Sequence, residues 1–337
     1  MKLPRQEWFA YLCARFTKSF RMISYYASRN GQLEQAEQAG PDTWIHLTPP
    51  FTSEELPGIA ERYELPIDFL TDPLDIDERS RYEREDDARL IVVNTPVLSQ
   101  VETENDSIYI TVPIGIILTP EALITITSTP DHPVLQLFID NKLRNVDPAR
   151  RSQFVLRIFE HTVYRFLTCL KRLNVKRNLI EQELYDSSRN RELKQLLSIE
   201  KSLVYFINAL NGNELLKMKI KRADFLGIRH DEDEWDLFED IIIDNGQALE
   251  MANIYTNILN GTMDAYGSII SNNLNITIQR LTLITIILTV PTVIFSFWGM
   301  NVPLPLQDKP YAFLLLILLS VVFSVAITFY FRRKRLF

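Results

Sequence analysis

Two long apolar runs near the C-terminus set the strongest limit on what this chain can fold into. Residues 281–298 hold 18 positions without a charge, and residues 311–331 hold 21. A helix needs about 20 apolar residues to cross the hydrocarbon core of a bilayer. The first run is marginal by itself, but Arg280 beside it can snorkel to the interface. A connector of twelve residues, 299–310, can join only antiparallel neighbours, so the pair predicts a helical hairpin in a membrane. Arg332, Arg333, Lys334 and Arg335 follow the second run and Arg280 precedes the first, while the connector offers only Lys309 beside Asp308. The positive-inside rule then places both termini in the cytoplasm. No signal peptide precedes the soluble part, which agrees with a large cytoplasmic portion on a cell (plasma or inner) membrane.

Composition removes several function classes. The formal net charge of −7 and the lack of a basic face with interleaved aromatics argue against a nucleic-acid partner. Cys13 and Cys169 are far apart and without ligand-like neighbours, which fits idle thiols rather than a disulfide or a zinc site. His46, His132, His161 and His230 are scattered, with no Gly-rich phosphate loop and no nucleophile–base pairing. The chain does not read as an enzyme, and no organic cofactor is expected.

Residues 1–21 are basic and aromatic and lead to a second Met at position 22, so they read as an extension, with a membrane-surface helix as the alternative. "MISYYASRNGQLEQ" predicts a hairpin turning at Asn30-Gly31. "TWIHL" (43–47) is a short strand, and Thr52 with Glu55 has capping-box spacing for a helix carrying Pro57 in its first turn. "PIDFLTDPLD" suggests another short helix, and "DERSRYEREDDA" a solvated loop or strand edge. "RLIVVNTPVL", "DSIYITVPIGIIL", "EALITITS" and "PVLQLF" supply further β-branched runs. An α/β layered domain over 22–146 follows, because these strands are too apolar to lie bare on both faces.

The pattern turns helical at Asp147, read as an N-cap with Pro148 at the first helical position. One helix runs to about Tyr185. A second spans about Arg189 to Asp224 with an interruption near Asn211-Gly212, completing antiparallel helices over 147–230. From about Asp233 there is no Pro before Pro291, so 231–298 reads as one stalk helix that continues into the first span (281–298) and is roughly 100 Å long at 1.5 Å per residue. The acids 231–234 at its start suit the helix dipole, with a cation-sensing surface as the alternative. An external loop (299–310), a second span (311–331) and a basic tail (332–337) complete an α+β membrane protein.

Thr282, Thr285, Thr289, Thr292 and Ser296 recur at steps of 3, 4, 3 and 4 along the first span, which gathers them on one stripe. Such hydroxyls either hold helices together or line water. Two spans are too few to enclose a pore, but a ring of identical chains could do so, with the first helices inside. The second span, featureless apart from Ser320, Ser324 and Thr328, reads as the lipid-facing wall.

The short gap between the spans contains "WGMN", Trp298 to Asn301. That motif after one span and before a second, with the stretch "MDAYGSIISNNLNITIQRLT…PTVIFSFWGMN" and the basic C-terminus, resembles the CorA family of magnesium channels over about residues 22–337. The resemblance implies a cytoplasmic funnel, a homopentamer, and Mg²⁺ entry down its electrochemical gradient. It implies that Gly299, Met300 and Asn301 form the selectivity filter, with Asn301 presenting its amide carbonyl to the incoming ion. Mg²⁺ holds its water tightly and prefers hard oxygen ligands, so a neutral amide ring can bind the hydration shell without stripping it. Asn275 falls at a polar ring near the cytoplasmic end, Ile278 and Leu281 at a hydrophobic constriction, and Thr285, Thr289 and Thr292 along the conduit. Asp264, in "MDAY", and Asp240 match acids that the family uses to sense cytosolic Mg²⁺ between subunits. Partners are thus divalent cations, the bilayer and further copies of the chain.

Two departures qualify this. Trp298 stands where the family usually has Tyr, and the loop "VPLPLQDKPYAF" lacks the net acidity that gathers cations at the mouth in many members. Transport of Co²⁺, Ni²⁺ or Zn²⁺, outward included, is the alternative within transport; Met300 favours the magnesium branch over the zinc branch. A membrane-anchored scaffold is the alternative outside it.

Overall fold

The computed structural model describes residues 23–29, 31–40, 42–99, 106–144, 146–186, 190–300, 309 and 311–334. The chain divides into two compact units, residues 1–260 and 261–337.

The first unit is built on one seven-stranded sheet. Its strands are β1 (Ile23–Arg29), β2 (Gln32–Ala36), β3 (Trp44–Leu47), β4 (Arg81–Glu85), β5 (Ala88–Leu98), β6 (Tyr109–Leu118) and β7 (Leu123–Thr127). Their spatial order is β2-β1-β3-β7-β6-β5-β4. Every pairing is antiparallel except β3 with β7, so the sheet is mixed. The β1–β2 hairpin forms with Gly31 at φ +76°, a backbone that glycine adopts without strain; Asn30 lies outside the described residues. The charge-rich 77–88 segment supplies β4, an edge strand whose Arg81 side chain meets Asp72, Glu78 and Glu83.

Helices cover both faces, which is why β5, β6 and β7 are apolar without alternation. One face, carrying Ile45, Leu47, Leu90, Val92, Ile117 and Ile124, packs on α1 (Glu55–Arg62) and α2 (Asp68–Thr71) through Ile59, Phe69 and Leu70. A single 3₁₀ turn, Asp72–Leu74, presses on β6 where a Cβ at Gly115 would stand 2.5 Å from Pro73 Cγ. The capping pair at α1 is half realised: the Thr52 N–H donates to Glu55 Oε2 at 2.7 Å, but no side chain caps the helix in return. The opposite face, carrying Trp44, Ile91, Val93, Ile114 and Ile116, packs on three long helices: α4 (Arg151–Asp186), α5 (Asn190–Ala223) and the start of α6 (Glu232–Trp298).

Three local expectations need correction. "PVLQLF" is not a strand but a short helix, α3 (Leu135–Ile139); Val134, Leu135 and Phe138 are spaced for one helical face and all three are buried. Asp147 does not cap α4 directly. Its carbonyl and carboxylate take the Arg150 and Ala149 N–H groups in a preceding turn, and the helix begins at Arg151. Asn211-Gly212 does not interrupt α5: the helix runs on through both residues, and the Asn211 Nδ2 donates back to Ile207 O at 2.9 Å instead of opening a turn.

The second unit contains the remainder of α6 and α7 (Ala312–Arg333). Both helices are long and apolar enough to cross a membrane. Pro291 sits inside α6, as lipid-embedded helices tolerate. Residues 1–22 and 301–308, which include the N-terminal extension and most of the external loop, lie outside the described residues.

Candidate functional site

In the second unit, burial along α6 has a clear direction. Leu283 is buried and Ile287, Val290, Ile294 and Trp298 are half-buried, at steps of 4, 3, 4 and 4. On α7 the buried positions are Ala312, Leu316 and Ser320, one turn apart. These rows form the seam of the hairpin. The Ser320 hydroxyl lies in this seam without a hydrogen-bond partner.

The polar stripe of α6 lies elsewhere. Asp264, Asn275, Ile278, Leu281, Thr282, Thr285, Thr289, Thr292 and Ser296 fall within about 120° of arc on an ideal helix, roughly opposite the seam. All nine are exposed in the single chain, Ile278 at 52% and Leu281 at 64%. The stripe therefore takes no part in holding α7. Arg280 falls on the seam side, off the stripe.

Four of these threonines share one hydrogen-bond geometry. Thr282, Thr285, Thr289 and Thr292 donate to the carbonyls of Ile278, Leu281, Thr285 and Leu288, four residues back, at 2.7–2.9 Å. Each hydroxyl has one proton, and here it is committed to the helix. What remains free on each of these four oxygens is lone-pair density, so the threonines offer acceptors and no donors. No sequence pattern indicates this, because the rotamer decides it.

At the outer end the Gly299 N–H closes the helix on Phe295 O at 2.9 Å, and the Met300 N–H reaches Phe297 O at 3.3 Å. Gly299 is not in the left-handed region. A Cβ there would make only ordinary contacts, 3.4 Å from Phe295 O and 3.6 Å from Ser296 O, so neither strain nor crowding within the chain requires glycine. Met300 is exposed, and Asn301 lies outside the described residues.

The two acids expected to sense cations lie apart along the chain. Asp240 is in the first unit, in an exposed row with Asp233, Asp236 and Asp244 at steps of 3, 4 and 4, and Asp264 is exposed in the second. Among the described residues no three His, Cys, Asp or Glu come close enough to hold a metal ion together.

Comparison with known proteins matches this arrangement. The family model described as "CorA-like Mg2+ transporter protein" matches residues 43–333. A cobalt/magnesium transport protein CorA from Methanocaldococcus jannaschii is 28% identical over 295 residues, which is 86% of this chain and 90% of that protein. The complete structure of the CorA magnesium transporter from the same organism superposes with a TM-score of 0.74 at 25% identity, covering 93% of this chain and 98% of that one. The full-length CmaX protein shares the fold, with a TM-score of 0.64 at 17% identity over 93% of this chain and 97% of that one. A mixed-sheet domain followed by long helices, two of them of membrane length, matches that architecture over nearly the whole length. The chain belongs to the CorA family and is a multi-pass membrane protein with its N-terminal domain in the cytoplasm.

Proposed function

We propose that the protein is a homopentameric channel that admits Mg²⁺ down its electrochemical gradient, with α6 from each copy facing a common axis. The observation that carries this reading is the exposed stripe on α6, opposite the seam with α7. A scaffold has no use for it, and a lone hairpin would leave it in lipid.

The chemistry of the stripe suits a hydrated cation. Water molecules bound to Mg²⁺ turn their hydrogens outward, so the shell presents donors on every side. Rings of threonine oxygens whose own protons are engaged with the helix offer matching acceptors. An anion would find no donor among these threonines. Asn301, with Gly299 and Met300, forms the filter at the mouth; Asn275 forms the cytoplasmic polar ring; Ile278 and Leu281 form a constriction that closes by narrowing and dewetting.

Asp264 and Asp240 act as cytosolic Mg²⁺ sensors in this reading. Isolated carboxylates on one chain become sites only when a neighbouring copy adds ligands, so ion binding would hold the ring closed and ion loss would loosen it. Co²⁺, named for the relative from M. jannaschii, is the second candidate ion. Mg²⁺ entry into proteoliposomes, read with an internal dye, tests the proposal. The wild-type chain should take up Mg²⁺ and Asn301→Ala should not. Absence of uptake by a correctly assembled wild-type ring would reject the channel.

A further inference from the structure

A cleft of about 900 Å³ opens in the first unit between the sheet, the beginning of α4 and the beginning of α6. Four arginines line it: Arg84 on β4, Arg89 on β5, and Arg150 and Arg151 where α4 begins. Four acids line it as well: Asp42 before β3, Asp87 in the β4–β5 turn, and Asp231 and Glu234 where α6 begins. Opposite charges that share a space usually close on one another, as Arg81 does on Asp72, Glu78 and Glu83 at the same edge of the sheet. Here they do not. Among the described residues none of the eight forms an ion pair.

The hydrogen bonds show what holds them apart. Arg89 Nη1 donates to Phe225 O at 2.8 Å, and its guanidinium stands 5.7 Å from the centre of the Phe225 ring. Arg151 forks onto two carbonyls, Thr119 O and Pro120 O, the second at 2.8 Å. Arg84 Nε reaches Asp86 O at 3.4 Å. A carbonyl fixes a guanidinium in place without neutralising its charge, and leaves it further donors. Asp231 is held in a similar way, its Oδ1 accepting the Glu234 N–H at 3.0 Å. The Arg150 side chain is exposed and has no partner among the described residues.

We propose that this cleft binds a di- or triphosphate chain together with its Mg²⁺, the arginines taking the phosphate oxygens and the carboxylates the metal side. A simple anion would meet four carboxylates, and a lone cation four guanidiniums. A magnesium polyphosphate carries both signs at a fixed separation. Guanidinium forks match phosphate oxygens, and Mg²⁺ keeps much of its water while using one or two carboxylates beside the phosphates. The volume admits a nucleotide with its hydration. No aromatic residue lines the cleft among the described residues, so recognition falls on the phosphates rather than on a stacked base. This site is independent of the transport reading.

The test is calorimetric titration of the full-length protein in detergent with Mg·ATP, Mg·tripolyphosphate and AMP, at one fixed concentration of free Mg²⁺. Saturable binding of Mg·ATP and weak or no binding of AMP are expected. Equal binding of Mg·tripolyphosphate supports an inorganic or nucleoside source alike, and binding of Mg·ATP alone supports a nucleotide. Arg150→Glu, at a side chain the fold does not use, should raise Kd about tenfold or more. Lys176→Glu makes the same charge change at an exposed position far along α4 and should leave Kd unchanged. Asp87→Asn supplies a sign: binding weakens if the carboxylate faces the metal and tightens if it only repels phosphate. The proposal is overturned by no saturable binding of either magnesium polyphosphate, by AMP binding as tightly as Mg·ATP, or by an unchanged Kd in Arg150→Glu. An equal loss in Lys176→Glu, which would mark general surface charge, or unchanged or tighter binding in Asp87→Asn also overturns it.

Discussion

Lys217 on α5 donates its ammonium to Oδ1 of Asn245 on α6 at 2.7 Å, and both residues are completely buried. Asn245 passes the interaction on by donating to Leu210 O at 3.0 Å, while the aromatic face of Phe159 on α4 covers the ammonium. One amide oxygen and a ring are thin compensation for a charge out of water, and burial lowers the Lys217 pKa from 10.5 to about 7; Glu214 opposes the shift. Between pH 7 and about 10.5 the unfolded chain holds a proton here that the folded chain has released. Stability therefore rises with pH across that window and is flat below it. The full span is of the order of 5 kcal/mol. Lys217→Met should raise Tm at pH 7 by the equivalent of about 1–3 kcal/mol, part of the gain being lost to the unpaired Asn245 oxygen. The advantage should vanish by pH 10. Tryptophan fluorescence melts at pH 7, 8.5 and 10 check this, and a pH-independent difference would contradict it.

Asn213, also on α5, pairs with the β5 backbone in both directions. Its Oδ1 accepts the Asn94 N–H at 3.1 Å and its Nδ2 donates to Asn94 O at 2.8 Å, while Ser80 Oγ donates to the same Oδ1 at 2.7 Å. Asn213→Ala leaves a buried N–H and C=O without partners and should cost about 2–4 kcal/mol. Asn213→Asp keeps the acceptor but loses the donor and buries a charge, so it should be at least as damaging. Urea midpoints for the two variants give the comparison, and a loss below about 0.5 kcal/mol in both would refute the role.

Ile278 and Leu281 are the apolar positions on a stripe otherwise dominated by oxygen-bearing residues. If they narrow and dry the conduit, Leu281→Ser should wet it. Mg²⁺ flux at high internal Mg²⁺, the condition in which the proposed sensors would hold the wild type closed, should then rise several-fold. Unchanged resting flux would place the gate elsewhere.

Much of this was legible in the sequence because local chemistry and tertiary outcome agree. The Asn30-Gly31 hairpin, the β-branched runs and the unbroken 231–298 stretch each use one strong signal. The stripe was legible because its period is helical. Lys217 was not. In "LLKMKIKRA" the exposed residues include Leu215 and Met218 while Lys217 is buried, the reverse of what hydropathy suggests. Only the packing of α4 and α6 against that face decides it. Asn211-Gly212 misled for a related reason, because Gly beside Asn signals a break in isolation, whereas here the helix is held on both sides by its packing on the sheet.

The central claim is that the stripe, rather than any other face of α6, lines the ion path. It is tested most directly by cysteine accessibility in a background with Cys13→Ser and Cys169→Ser. Thr285→Cys and Thr289→Cys place a thiol on the stripe, and Ile284→Cys places one well off it, on a face that is also exposed. A positively charged, water-soluble methanethiosulfonate should cut Mg²⁺ flux in the first two variants and leave the third unaffected. Block at Ile284→Cys with none at Thr285→Cys or Thr289→Cys would contradict the account.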